Sequence, residues 1–398
     1  MSPEMSAATK RPWMPSQRHV LLVRAALLAG EPAIDAWNRW KLAGDLDRID
    51  DGSSALLPIV YRNLTDHGVD DPMVRRARDA YKMTWLENEQ RFAELSALLE
   101  SASAAGIETM VLKGVALALL YYRDLGLRCM GDVDILIRPD DVADAINTLT
   151  ELGWRKTGRT PDVLTETYLN ARREIHFLSD RATCLDLHWR VMDETCLSSR
   201  DDWFWSGAIR ASVRGVETHA MNPTDQLLHV CAHATLWTPV PFPRWIADAA
   251  MILKASRGDI DWDRLISHAR RLGLVTPVRE TLKQVVDVLD APIPSSVLDN
   301  LHRLPPSKED LRNYRIRCLP PNPLRTLPLE FRRMSLRSGR ANRGWRLLAF
   351  PSYARALWGL EHAWQLPVKV LLWGARTLRR LPGYYGKRLI GRRTVRRS

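Results

Sequence analysis

A chain of 398 residues with 45% hydrophobic side chains is long enough for two or three globular domains. Its net charge of +12 is unevenly spread: residues 301–398 hold 23 basic and 4 acidic side chains, net +19, whereas residues 1–300 are net −7. Five dispersed cysteines (Cys129, Cys184, Cys196, Cys231, Cys318) argue against a disulfide framework and for a reducing, cytoplasmic setting, and no apolar run reaches the roughly 18 residues that a membrane-spanning helix needs.

The N-terminal part reads as helical. Arg24 interrupts HVLLVRAALLAG, so this run suits an amphipathic helix better than a signal-peptide core. Asp71-Pro72 supplies an N-cap and a first-turn proline, and nothing stops a helix from there until Gly106. ETMVL (108–112) is then a strand, Lys113-Gly114 a turn, and VALALLYYR (115–123) a compact helix. DVDILIR forms the next strand, a helix over 141–153 follows, and EIHFL (174–178) and TCLDLHW (183–189) are two more strands. From Asn222-Pro223 the pattern is helical to about residue 302. Six prolines between Pro305 and Pro328 then mark an irregular connection to an Arg-rich tail. The expected architecture is α/β (α+β), in four parts: an N-terminal helical region (1–105), a small mixed-sheet core (106–220), a helical domain (221–302) and a basic Pro/Arg-rich tail (303–398).

The stretch GDVDILI (131–137) carries the chemistry. Side chains alternate along a strand, so Asp132 and Asp134 share one face while Val133, Ile135 and Ile137 share the other. Two carboxylates on one face suit Mg²⁺, a hard cation that favours carboxylate and phosphate oxygens together. Asp186, between two leucines on a strand able to lie alongside, is a candidate third ligand, enough for a two-metal phosphoryl-transfer site. Gly114 at a strand-to-helix turn allows close approach of a phosphate, and Lys113 and Arg128 add positive charge for it. Each of these has a plainer reading, as a solvated strand face for the aspartates, a salt bridge from Asp186 to Arg190, or a surface lysine. His229 and His233 have the i, i+4 spacing of a zinc pair but lack a third ligand, and a structural role is expected for them.

LKG (112–114), YYRDLGLR (121–128), GDVDILI, LGW (152–154) and LDLHW (185–189) together resemble the nucleotidyltransferase superfamily with the DNA polymerase β fold. With DQLLHVCAHA (225–234) and PRWIADAAMIL (243–253), the chain is similar over roughly residues 20–290 to the bacterial nucleotidyltransferase family called type 5. The resemblance implies Mg²⁺-dependent transfer of NMP from an NTP to an acceptor such as tRNA, a protein or a small molecule. It implies catalytic, metal-holding roles for Asp132, Asp134 and Asp186. Lys113, Gly114 and Arg128 would contact the nucleotide, and His188 would orient Asp186 or contact the acceptor. Gly114-Val115 departs from the superfamily's usual Gly-Ser or Gly-Gly turn, so a phosphate-binding hydroxyl is missing. The alternatives are a non-catalytic binding module of the same fold, or an adaptor acting through its tail.

Two further expectations concern charge. Removing one carboxylate, as in Asp134→Asn, should relieve repulsion in the metal-free protein. In the tail, Leu357, Leu360, Trp364, Val368, Leu371, Ala375 and Leu378 form one helical stripe, kinked at Pro367 and flanked by arginines. Residues 330–398 therefore suit an anionic membrane surface or an RNA backbone, with packing on the protein body as the plain reading.

Overall fold

The computed structural model describes residues 13–44, 48–157, 164–192, 202–236, 242–256, 258–318, 330–331, 334–335, 343–360 and 362–372. It comprises two compact units: Met1–Lys156 with Glu174–Pro320, and Thr157–Arg173 with Pro321–Ser398.

The larger unit is built on a mixed sheet, in keeping with the expected α/β class. Its strands are β1 (Thr109–Val111), β2 (Asp132–Ile137), β3 (Arg155–Lys156), β4 (Glu174–Leu178), β5 (Cys184–His188), β6 (Ile209–Val213) and β7 (Val216–Ala220). They lie in the order β3-β4-β5-β2-β1-β7-β6. β2 runs parallel to β5 and β1 parallel to β7; the other pairs are antiparallel. The β6–β7 hairpin is not among the expected elements. Its two-residue turn, Arg214-Gly215, has φ of 52° and 90°, the left-handed backbone that tight hairpins demand.

One sheet face is apolar throughout its centre: Val133, Ile135, Ile137, Ile175, Phe177, Leu185 and Leu187 are all buried. The helix Pro72–Ala104 packs against β1, β6 and β7 and against the helix Val142–Glu151. It begins where the sequence implied: Asp71 Oδ1 accepts from the Met73 and Val74 amides at 2.9 Å, which satisfies two of the donors that a helix start leaves open. Gly106 ends the run with φ 75°. The remaining helices of the unit, from Gln17–Leu27 to Lys308–Arg317, share one continuous core in which Trp37, Trp40, Leu22 and Leu64 are fully buried.

The turn at Lys113-Gly114 differs from expectation. The helix starts at Lys113 itself, runs to Leu117 and loosens into a π-helical turn, Ala118–Tyr122. Lys113, not Gly114, takes the left-handed backbone, at φ 42°. A lysine held there is strained.

The smaller unit contains the helix Arg343–Leu357, whose Tyr353 and Leu357 pack with Met334, Phe331 and Phe350. The helix Glu166–Ala171 belongs to it too, and the following Arg172 donates from Nη2 to the Leu357 carbonyl at 2.8 Å. The single stripe expected over 357–378 is divided. Gly359, at φ 59°, ends one helix, and a second covers 365–372. Pro367 sits in the first turn of that second helix, where a missing N–H costs nothing, so it starts a helix instead of kinking one. Ala375 and Leu378 lie outside the described residues. Among the described residues no helix is long and apolar enough to cross a membrane.

Candidate active site

Strand register brings the polar face together. Asp134 is paired with Asp186 across β2 and β5, His176 with Asp186 across β4 and β5, and Glu174 with His188. Residues directly opposite on neighbouring strands point to the same side, so Asp132, Asp134, Asp186, His188, Glu174 and His176 all share the face away from the helix Pro72–Ala104. Two groups of potential ligand atoms result, each within 4.8 Å of one another: Asp134, Asp186 and His188, and Glu174, His176 and Asp186.

Asp134 is the centre of the face. It is 1% exposed, and its Oδ1 accepts from Lys113 Nζ at 2.6 Å and from His188 Nε2 at 3.0 Å. Burial alone would push its carboxyl up. The Lys113 ammonium and the bond from His188 overcome this and hold it well below the usual carboxylate range. Because an ionised carboxylate only accepts, the His188 proton must sit on Nε2. Its Nδ1 lies 3.1 Å from Glu174 Oε2. The other oxygen of Asp134, Oδ2, is buried and has no hydrogen-bond partner among the described residues.

Asp132 behaves differently. Burial and then the neighbouring Asp134 push its carboxyl up, so the repulsion expected between these carboxylates falls on Asp132. Neutralising Asp134 would remove the counter-charge of Lys113 as well as this repulsion on Asp132. Asp186 is held by His176 Nδ1, 2.5 Å from Oδ1, and not by Arg190. His188 is fully buried and bonds Asp134, with Asp186 in the same group of potential ligand atoms.

Asp132 and Asp134 open on a cleft of about 270 Å³, shared with Lys113, Gly114, Arg128 and Arg244. Arg128 meets Asp248 through two parallel bonds, Nε to Oδ1 at 2.9 Å and Nη2 to Oδ2 at 3.0 Å, and Tyr122 adds a third to Oδ1 at 2.8 Å. Burial would raise the Asp248 carboxyl; Arg128 holds it low instead. The remaining Arg128 nitrogen, Nη1, lies over Gly114, where an added Cβ would come within 2.9 Å of it and 2.8 Å of Met130 Sδ. Gly114 is thus needed for close approach, not for its backbone angle.

The loop that carries Arg128 is pinned from below by the long helix. Asn88, fully buried, donates from Nδ2 to the carbonyls of Leu125 and Arg128 at 2.7 and 2.8 Å. Sequence reasoning missed Asn88, Glu174, Arg244 and Asp248. PRWIADAAMIL contains the last two, but nothing in one sequence says that Asp248 reaches back 120 residues to Arg128. His229 and His233 also line the cleft, their rings 6.3 Å apart. Burial, then His233, keeps His229 well below its ordinary range, and neither belongs to a ligand group among the described residues.

A family model described as an uncharacterised nucleotidyltransferase matches residues 53–290. The chain belongs to that family. No curated protein matches it. Among solved structures it is similar to the antibiotic-resistance factor ANT(2'')-Ia in solution, at 12% identity and a TM-score of 0.34, over 51% of this chain and 96% of that one. It is also similar to the crystal structure of an antigenic nucleotidyltransferase-like protein from Paracoccidioides brasiliensis, at 13% identity and 0.35, over 52% and 91%.

For this nucleotidyltransferase-family chain, the donor set fits a divalent cation. Asp134 Oδ2 is a buried carboxylate oxygen without a partner, and an orphan of that kind costs stability unless something binds it. Asp132, raised by its neighbour, would be relieved by the same positive charge.

Proposed function

We propose that the protein is a metal-dependent nucleotidyltransferase that moves an NMP from an NTP to an acceptor hydroxyl or phosphate. The observation that carries this reading is the unpartnered Asp134 Oδ2, buried beside Asp132 at the wall of a cleft that also holds Lys113 and Arg128. Asp132 and Asp134 would hold the nucleotide-bound Mg²⁺, and Asp186 a second ion. When bound, such ions would offset the negative charge that develops in transfer.

The chain's own residues divide the remaining work. Lys113 can exchange its bond to Asp134 for a phosphate oxygen without leaving the cleft. Arg128, kept rigid by Asp248 and Asn88, presents Nη1 beside Gly114 to the same phosphates. His188 fixes the orientation of Asp134 from beneath, and His176 that of Asp186.

A second reading, a nucleotide-binding module without transfer, draws on one observation. Asp186 is engaged by His176 and does not line the cleft. Incubation with each labelled NTP and Mg²⁺ in cell extract separates the two readings. Label transferred to an extract component by the wild type, and not by Asp134→Asn or Asp186→Asn, supports the enzyme. Nucleotide binding by all three proteins without transfer supports the module, and no NTP binding by the wild type overturns both.

A further inference from the structure

We propose that the C-terminal helical segment docks on an anionic lipid surface, lying in the headgroup plane. The helix 365–372 and its entry carry Trp364, Val368, Leu371 and Leu372, exposed by 66, 47, 74 and 54%. Their spacing of four, three and one residues places them within about 100° of the helix circumference, a single face. Leu347 and Leu348, at 60 and 82%, are exposed near the start of the preceding helix. Such apolar groups are unusual when gathered in one short segment.

Among the described residues they are not part of the smaller unit's core. That core is made by Phe331, Met334, Phe350, Tyr353 and Leu357, with the Tyr353 hydroxyl on Glu330 at 3.2 Å. Among the described residues the exposed face takes no part in that core.

Charge selects the occupant. Residues 301–398 are net +19 and residues 373–398 alone hold nine basic and no acidic side chains, against −7 for residues 1–300. Exposed leucines gain nothing from a nucleic-acid backbone, and an apolar protein groove does not call for so many arginines. An anionic bilayer rewards both at once: acyl chains accept Val368, Leu371 and Leu372, headgroups accept the arginines, and Trp364 suits the boundary between them. At eight residues, the helix 365–372 is too short to span a bilayer, so the proposal places it on the surface.

The test is sedimentation of the full chain with vesicles of phosphatidylcholine alone, and of phosphatidylcholine with phosphatidylglycerol. Wild-type protein should pellet with the anionic vesicles only, and less so as salt is raised. The Val368→Asp, Leu371→Asp double variant replaces exposed side chains, so its fold is not at stake, and circular dichroism confirms that. It should lose vesicle binding by about tenfold or more, since apolar insertion is removed and repulsion added, while NTP binding in the cleft is unchanged. Equal binding of wild type and double variant to anionic vesicles would overturn the proposal. So would absence of vesicle binding, or salt-sensitive RNA retention that the two share and that vesicles do not displace.

Discussion

Asp134 and Asp225 are both buried, at 1% and 0% exposure, and both remain ionised, yet they use their oxygens differently. At Asp225 both oxygens are engaged. Arg264 donates from Nε to Oδ1 at 3.0 Å and from Nη2 to Oδ2 at 2.6 Å; Asn222 reaches Oδ2 at 2.7 Å; His268 Nδ1 lies 3.3 Å from Oδ1. Asp134 spends Oδ1 on Lys113 and His188 and leaves Oδ2 without a partner among the described residues. Burial would raise both carboxyls, and both are held low by their partners. Depth of burial and depressed acidity therefore fail to separate a structural carboxylate from a ligand-binding one. What differs between the two is the Asp134 oxygen that has no partner among the described residues.

Substitution should break that comparison most sharply in activity. Asp134→Asn is expected to lower NMP transfer by at least about a hundredfold, because a proposed ligand of the metal is lost, measured as label transfer at saturating Mg²⁺. Activity retained at the wild-type level would end the assignment. Asp225→Asn should act through stability instead. It leaves Arg264 and His268 without their shared anion and should cost about 2–3 kcal/mol in denaturant unfolding, with normal specific activity for the fraction that stays folded.

Gly114→Ala comes next. The added methyl presses on Arg128, which Asp248 holds in place, and on the more yielding Met130. A stability loss of about 1 kcal/mol is expected, together with weaker NTP binding by calorimetry. A variant that loses stability but binds NTP normally would show that Arg128 does not serve the nucleotide.

The smallest effect sharpens the comparison by reversing its sign. Asp132 is raised where Asp134 is lowered. Stability linked to Asp132 is present below the unfolded carboxylate value of about 4 and is lost as pH rises through its higher folded value. Stability linked to Asp134 and Asp225 is present above about 4 and is lost as pH falls through their lower folded values. Metal-free Asp132→Asn should therefore melt slightly above wild type near neutral pH, and the two should converge in acid. Mg²⁺ should raise the melting temperature of the wild type and leave that of Asp134→Asn nearly unchanged.

Much of the site is legible in the sequence alone. The strand DVDILI can only place its two aspartates on one face, since its apolar residues claim the other, and Asp71-Pro72 and Asn222-Pro223 can hardly be other than helix starts. These readings rest on periods of 2 and 3.6 residues and on local capping, which the sequence contains in full. The β6–β7 hairpin is equally local, in its Arg214-Gly215 turn, yet it escapes a reading that follows apolar runs, because its strands expose half of their side chains.

What lies beyond reach of the sequence is pairing across distance. Asp134 faces Asp186 because β2 and β5 run parallel in one register, and a slip of one residue would have turned the third carboxylate away. Asp248 finds Arg128, Asn88 holds the loop that carries Arg128, and His188 goes to Asp134 while His176 takes Asp186. The tail stripe divides because Gly359 takes a left-handed backbone. A sequence names the groups able to carry charge and the local turns that aim them. Which groups share a charge, and which oxygen is left over, depends on contacts between residues far apart along the chain, and only the tertiary fold decides those.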